Sequence, residues 1–120
     1  ANLTGARLTV ATLDGAMLYG ANLTGAILTS ANLSRANLMG ANLVGASFRG
    51  ANLSGADLLG ANLVVAELVC ATLDGAMLYG ANLSGANLSS ASLDRTLFRW
   101  EQLDFVKLTG ATMPDGTIHD

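Results

Sequence analysis

The sequence predicts an all-β solenoid, a chain that turns a corner every fifth residue and stacks its coils through parallel backbone ladders. Three observations carry this expectation. Cut into fives from Ala1, the 120 residues read ANLTG, ARLTV, ATLDG, AMLYG and onward for 24 blocks in one register. The third residue is Leu in 20 blocks, with Phe48, Phe98, Met113 and Ile118 in the others, and the first is Ala in 20. The fifth is Gly in 13 blocks, which takes in every glycine but Gly116.

A period of five fits neither the helical ~3.6 nor the strand period of ~2. In an extended triplet such as Ala21-Asn22-Leu23, the first and third side chains share one face and the second points away. Continued straight, an odd repeat would throw the next Ala-x-Leu onto the opposite face, so every block must turn. A fourth and fifth residue ending in Gly supplies the backbone freedom for that turn. Turns of one hand close the chain into coils, which can stack ~4.8 Å apart.

The same geometry fixes the core. Third-position residues fill the interior, among them Leu3, Leu23, Leu43, Phe48, Leu58, Leu63 and Phe98, with Ala between because a larger side chain would crowd the axis. Leu58 is therefore expected inside and its neighbour Leu59 outside. Residues 1–35 match residues 61–95 at 25 of 35 positions, and ATLDGAMLYGAN recurs at 11–22 and 71–82. The offset of 60 preserves the face of every residue whether a coil holds four blocks or three.

Blocks such as ANLTG, ANLSG, ADLLG and ANLVG resemble the A-(N/D)-L-x-x unit of the pentapeptide-repeat family, over essentially the whole chain. The resemblance implies a right-handed parallel quadrilateral β-helix with four blocks per coil, hence about six coils and a rod on the order of 25–30 Å long. The ending MPDGTIHD is similar to the C-terminal tails of cyanobacterial members. Some members of the family act as mimics of duplex DNA on DNA gyrase.

Four blocks per coil sort the outside into columns. Asn2, Asn22, Asn42, Asn62, Asn82 and Gln102 form one column, expected to bond to one another and to turn backbone. Asp14, Asp74 and Asp94 share another beside Arg35 and Arg95, expected as a salt-bridged face. Met17, Tyr19, Met39, Leu59, Met77, Tyr79 and Leu97 fall on a single side and form a candidate interaction stripe, because soluble monomers rarely expose contiguous apolar patches. Val44, Val64, Val65, Val69 and Cys70 make a smaller patch.

The chain is expected to be one domain over 1–120, regular over 1–95, with degenerate repeats and a cap over 96–120. A solenoid end needs an atypical cap, and Trp100 and Phe105, at corner positions, are placed to fold over the last coil. No comparable cap precedes Leu3, so either further repeats lie upstream or the first rung packs on another chain. Ala1 is not a start methionine, which leaves room for a trimmed segment.

Composition narrows function. With 51% hydrophobic and 12% charged residues the chain is not a disordered one. A net charge of −3 provides no basic footprint for nucleic acid, so no direct nucleic-acid binding is expected. Polar residues interrupt every apolar stretch short of a membrane span, and no secretion signal opens the chain, so a cytoplasmic location is expected. Cys70 alone excludes an intramolecular disulfide and is read as a small apolar filler. His119 lies in the tail with no triad or metal partners, and the glycines form no phosphate loop. No catalytic residue, cofactor or metal is expected. The reading is a non-enzymatic interaction module whose partner is another protein or a second copy. The alternative is a DNA mimic acting on gyrase, which would need a far more acidic rod. Ice binding would need a regular Thr grid, and Thr4, Thr24, Val44 and Val64 do not form one.

Overall fold

The computed structural model describes residues 2–120. Parallel bridges join second-position residues twenty apart and run in four ladders, such as Asn2–Asn22–Asn42–Asn62–Asn82 and Met17–Asn37–Asp57–Met77–Leu97. The molecule is an elongated β-helix of 36 × 23 × 19 Å.

Block 41–45 shows how the five-residue beat satisfies its backbone. Asn42 N–H donates to Ala21 O on the preceding rung at 2.9 Å. Leu43 N–H and Gly45 N–H donate to Asn62 O and Val64 O on the following rung, at 2.7 and 3.0 Å. Ala41 N–H closes the preceding turn on Leu38 O at 3.0 Å. The remaining donor, Val44 N–H, goes to Asn42 Oδ1 at 3.2 Å. All five N–H groups are thereby paired, as a compact fold requires.

The last bond bears out one half of the expectation for the Asn column, the bonding to turn backbone, and corrects the other. These amides do not ladder with one another. Each Oδ1 turns back to the N–H two residues on, as in Asn22–Thr24, Asn32–Ser34 and Asp57–Leu59, an Asx turn. Asn or Asp recurs at the second position because the fourth N–H has no partner on the neighbouring rung.

The corner sits at the fifth residue. It has positive φ even where it is not glycine: Val10, Ser30, Arg35, Val65, Cys70, Ser90, Arg95 and Phe105 range from 51° to 64°. With the third carbonyl accepting from the next block's first N–H, this is the geometry of a type II turn. Cys70 therefore lies exposed at a corner and is no core filler. From Ala21 to Leu93 each first-position Ala and each third-position Leu or Phe is at most 5% exposed. Leu23, Leu43, Phe48, Leu58 and Leu63 stand in this core, while Leu3 and Phe98 are only partly buried against it.

The regular ladder changes after Leu97. A 3₁₀ helix, Trp100–Leu103, replaces the rung above Asn82. Gln102 Nε2 donates to Leu78 O and Ala81 O at 2.6 and 2.9 Å, supplying by side chain what a backbone N–H gives lower down. Thr96, buried where Ala is usual, donates its hydroxyl to Leu73 O at 2.6 Å. The tail then folds back antiparallel, pairing Thr112 with Ile118. Gly110 N–H donates to His119 O, His119 N–H to Ala111 O and Met113 N–H to Thr117 O. These are the groups that another rung would otherwise bind.

Closure is thus made by Gln102, Leu103 and the tail backbone. Trp100 and Phe105 do not fold over the last coil: they are 63% and 89% exposed. A corner side chain at positive φ points outward, and Phe105 sits at 64°. Ile118, third in its block, also leaves the core column, because the antiparallel return reverses the chain beneath it. Among the described residues no helix is long and apolar enough to cross a membrane.

Candidate functional site

The bridges from Met17 through Leu97 set the second-position residues of one side in line. Beside them the fourth-position residues stack through Gly20 N–H to Met39 O, Gly40 N–H to Leu59 O and Gly60 N–H to Tyr79 O, at 2.8–3.1 Å. Two adjacent columns therefore carry the predicted stripe on one side of the rod. Met17, Tyr19, Met39, Tyr79 and Leu97 are 70, 64, 45, 43 and 44% exposed.

Leu59 and Met77 differ from the expectation: both are half-buried, not fully exposed. Each has rungs on both sides, so the neighbouring side chains ~5 Å away cover part of it. Asn37 and Asp57 interrupt the second-position column, and both are half-buried. Their Oδ1 atoms are taken by Met39 N–H and Leu59 N–H at 3.1 Å.

One rim of this side is low, while the other carries the exposed Arg35 and Arg95 among Gly15, Gly55 and Gly75. The corner Gly20, Gly40, Gly60 and Gly80 present no side chain along one edge, and φ of 65–75° makes glycine the unstrained choice there. At the far end Trp100 stands on the same corner and packs edge-on against Phe98, with centroids 5.1 Å apart and planes at 83°. Its exposed ring extends the apolar surface beyond Leu97. The five-residue spacing could have flagged Trp100 for this role, since its corner column is glycine at the four preceding rungs, 20, 40, 60 and 80.

The other candidates come out differently. Arg95 Nε lies 3.6 Å from Asp94 Oδ2, both well exposed, a contact worth little. Asp74 instead accepts from the Ser92 hydroxyl. The expected salt-bridged face is therefore one weak pair, because Asp74 is taken by the Ser92 hydroxyl of the next rung and Arg95 reaches only its exposed neighbour Asp94. The Val65 corner is exposed, with Val44, Val64 and Val69 half-buried around it. Asp115 is held ionised below the usual carboxylate range by the hydroxyl and N–H of Thr117. Among the described residues there is no cleft and no group of three His, Cys, Asp or Glu side chains fit to hold a metal.

A parallel β-helix stepping five residues per side, with its exposed chemistry in straight columns, defines a β-solenoid repeat protein. The chain belongs to the pentapeptide repeat family, whose model matches residues 1–29, 31–64 and 66–100 as eight copies. Among solved structures it is similar to HetL, a pentapeptide repeat protein of the cyanobacterium Nostoc sp. strain PCC 7120 (37% identity, 98% of this chain, TM-score 0.76). The chain spans 64% of HetL's length. It is also similar to alr5209 of Nostoc PCC 7120, at 35% identity over 84% of this chain and 83% of that one, TM-score 0.72. A pentapeptide repeat protein of the Arabidopsis thaliana thylakoid lumen aligns at 30% identity over 87% of this chain and 72% of that one, TM-score 0.50. No curated protein sequence matches significantly.

Proposed function

We propose that the chain is a non-enzymatic protein-interaction module: a right-handed quadrilateral β-helix of about six coils, continuous over 1–120 and closed by 96–120, that docks proteins on its Met/Tyr side. The observation that carries the reading is the alignment of Met17, Tyr19, Met39, Tyr79 and Leu97, each at least 43% exposed, in two adjacent columns. Apolar surface contiguous in this way marks interaction sites, and Tyr and Met are enriched in them. A fixed backbone presents the side chains without the ordering cost that a loop would bear. HetL, of similar fold, is described as involved in regulating heterocyst differentiation, a role that contact alone can fulfil. Mimicry of duplex DNA has little support from the charge, since nine acids face six bases.

Affinity capture tests the reading, comparing the wild type with a Tyr19→Ser/Leu59→Ser/Tyr79→Ser variant. Thermal melts should first show that the variant remains folded. Loss of specific partners from the variant is the expected result. Identical captures by both proteins would remove the Met/Tyr side as the docking surface.

A further inference from the structure

We propose that the occupant of the Met/Tyr side is a second copy of this chain, packed face to face and antiparallel. This rests on the reading of that side as an interaction surface and adds a register and a partner. The argument starts from the two polar residues within the stripe. Because the Asx turns consume Oδ1 of both Asn37 and Asp57, Asn37 is left with its Nδ2 donors and Asp57 with its Oδ2 acceptor. A partner that covers them must offer the complements, an acceptor opposite Asn37 and a donor opposite Asp57, or leave buried polar groups unpaired at a heavy cost.

The chain itself carries those complements one rung apart. A two-fold axis lying across the face, midway between the Asn37 and Asp57 rungs, sets Asn37 against the partner copy's Asp57 and Asp57 against its Asn37. The same operation sets Met39 opposite Leu59, Met17 opposite Met77 and Tyr19 opposite Tyr79. The last two matches use the recurrence of AMLYG at 16–20 and 76–80. Other registers fail. An axis on the Asp57 rung places two carboxylates together, and a parallel arrangement sets Asn37 and Asp57 against the apolar fourth-position column. Only the first register is self-complementary, as a two-fold interface must be.

The glycine rim of Gly20, Gly40, Gly60 and Gly80 lets the two faces approach on one edge, and on the other the proposed axis sets Arg35 opposite the partner copy's Gly55. Four paired rungs at ~4.8 Å cover about 19 Å of the rod, whose cross-section is 23 × 19 Å. That area lies at the low end of specific interfaces, so the dimer is weak and visible as concentration-dependent association.

Sedimentation equilibrium up to millimolar protein supplies the test. Asn37→Asp opposes two carboxylates across the axis while keeping the Asx turn, as Asp57 itself shows. It should weaken association about tenfold or more. The exchanged variant, Asn37→Asp with Asp57→Asn, restores the pairing at unchanged net charge and should recover wild-type association. A strictly monomeric wild type, an indifferent Asn37→Asp or an exchanged variant without recovery each overturns the proposal. If the wild type is monomeric while its captured partners are still lost from the Tyr19/Leu59/Tyr79 variant, the interaction surface stands and the second copy falls.

Discussion

The decapeptide ATLDGAMLYG stands twice in this chain, at 11–20 and at 71–80, with the same backbone and different surroundings. Both copies turn at glycines of nearly equal φ, 69° and 65° in the first, 70° and 75° in the second. In the second copy Ala71, Leu73, Ala76 and Leu78 are at most 1% exposed. In the first, Leu13 and Leu18 are only partly buried, and Tyr19 is 64% exposed against 43% for Tyr79. Identical residues thus choose inside and outside alike, but the depth of burial comes from the rungs above and below. Conformation is written into each block, whereas stability is shared with its neighbours, as in other solenoids.

Mutations at matched positions can break that comparison. The largest contrast should come from Leu78→Lys and Leu18→Lys. An ammonium at 78 has no route to water and should unfold the protein, while one at 18 can reach solvent along its stem and only lower the Tm. Circular dichroism melts giving equal losses would refute the difference in burial. Leu73→Ala should cost about 2–5 kcal/mol, the usual range for a fully buried Leu, and Leu13→Ala clearly less, in denaturant titrations. Gly15→Ala and Gly75→Ala sharpen the argument from the other side. A methyl group added at either glycine would meet no atom within 4 Å, so the cost is backbone strain alone, roughly 1–2 kcal/mol at both sites. Unequal costs would mean that corners, too, depend on their neighbours.

The smallest effect belongs to the tail. Because Thr117 lowers the pKa of Asp115, the folded tail favours the carboxylate. Its contribution is present above the ordinary carboxylate pKa and is lost as pH falls through the lowered one. An NMR titration should place the Asp115 midpoint below that of an ordinary carboxylate, and Thr117→Val should raise it.

Inside and outside were legible in the sequence because a five-residue period allows no other face for Ala and Leu. Leu58 and Phe48 are buried as that period requires. The corner was legible in glycine, and it holds where Val65 or Arg35 replaces it, since neighbouring rungs impose the same turn. The Asn column and its bonding to turn backbone were legible, but the expected bonds from amide to amide do not form, because Oδ1 is spent on its own turn. The cap was least legible. Trp100 and Phe105 looked like covering groups by size, yet closure uses the Gln102 amide and tail carbonyls, whose roles depend on which backbone donors the last rung leaves open. For the stripe, the columns followed from the period, while the half-burial of Leu59 and Met77 follows from neighbours that no single block specifies.

The alignment of the interaction face depends on a step of twenty residues per rung, and crosslinking tests that step most directly. In a Cys70→Ser background, Asn42→Cys with Asn62→Cys places two thiols on adjacent rungs, within reach of a disulfide. Asn42→Cys with Asp57→Cys spans fifteen residues, the step of a three-block coil. Mild oxidation should close the first pair rapidly and leave the second as free thiols. Closure of the second pair, with the first left reduced, would contradict the four-ladder fold and scatter the Met/Tyr side.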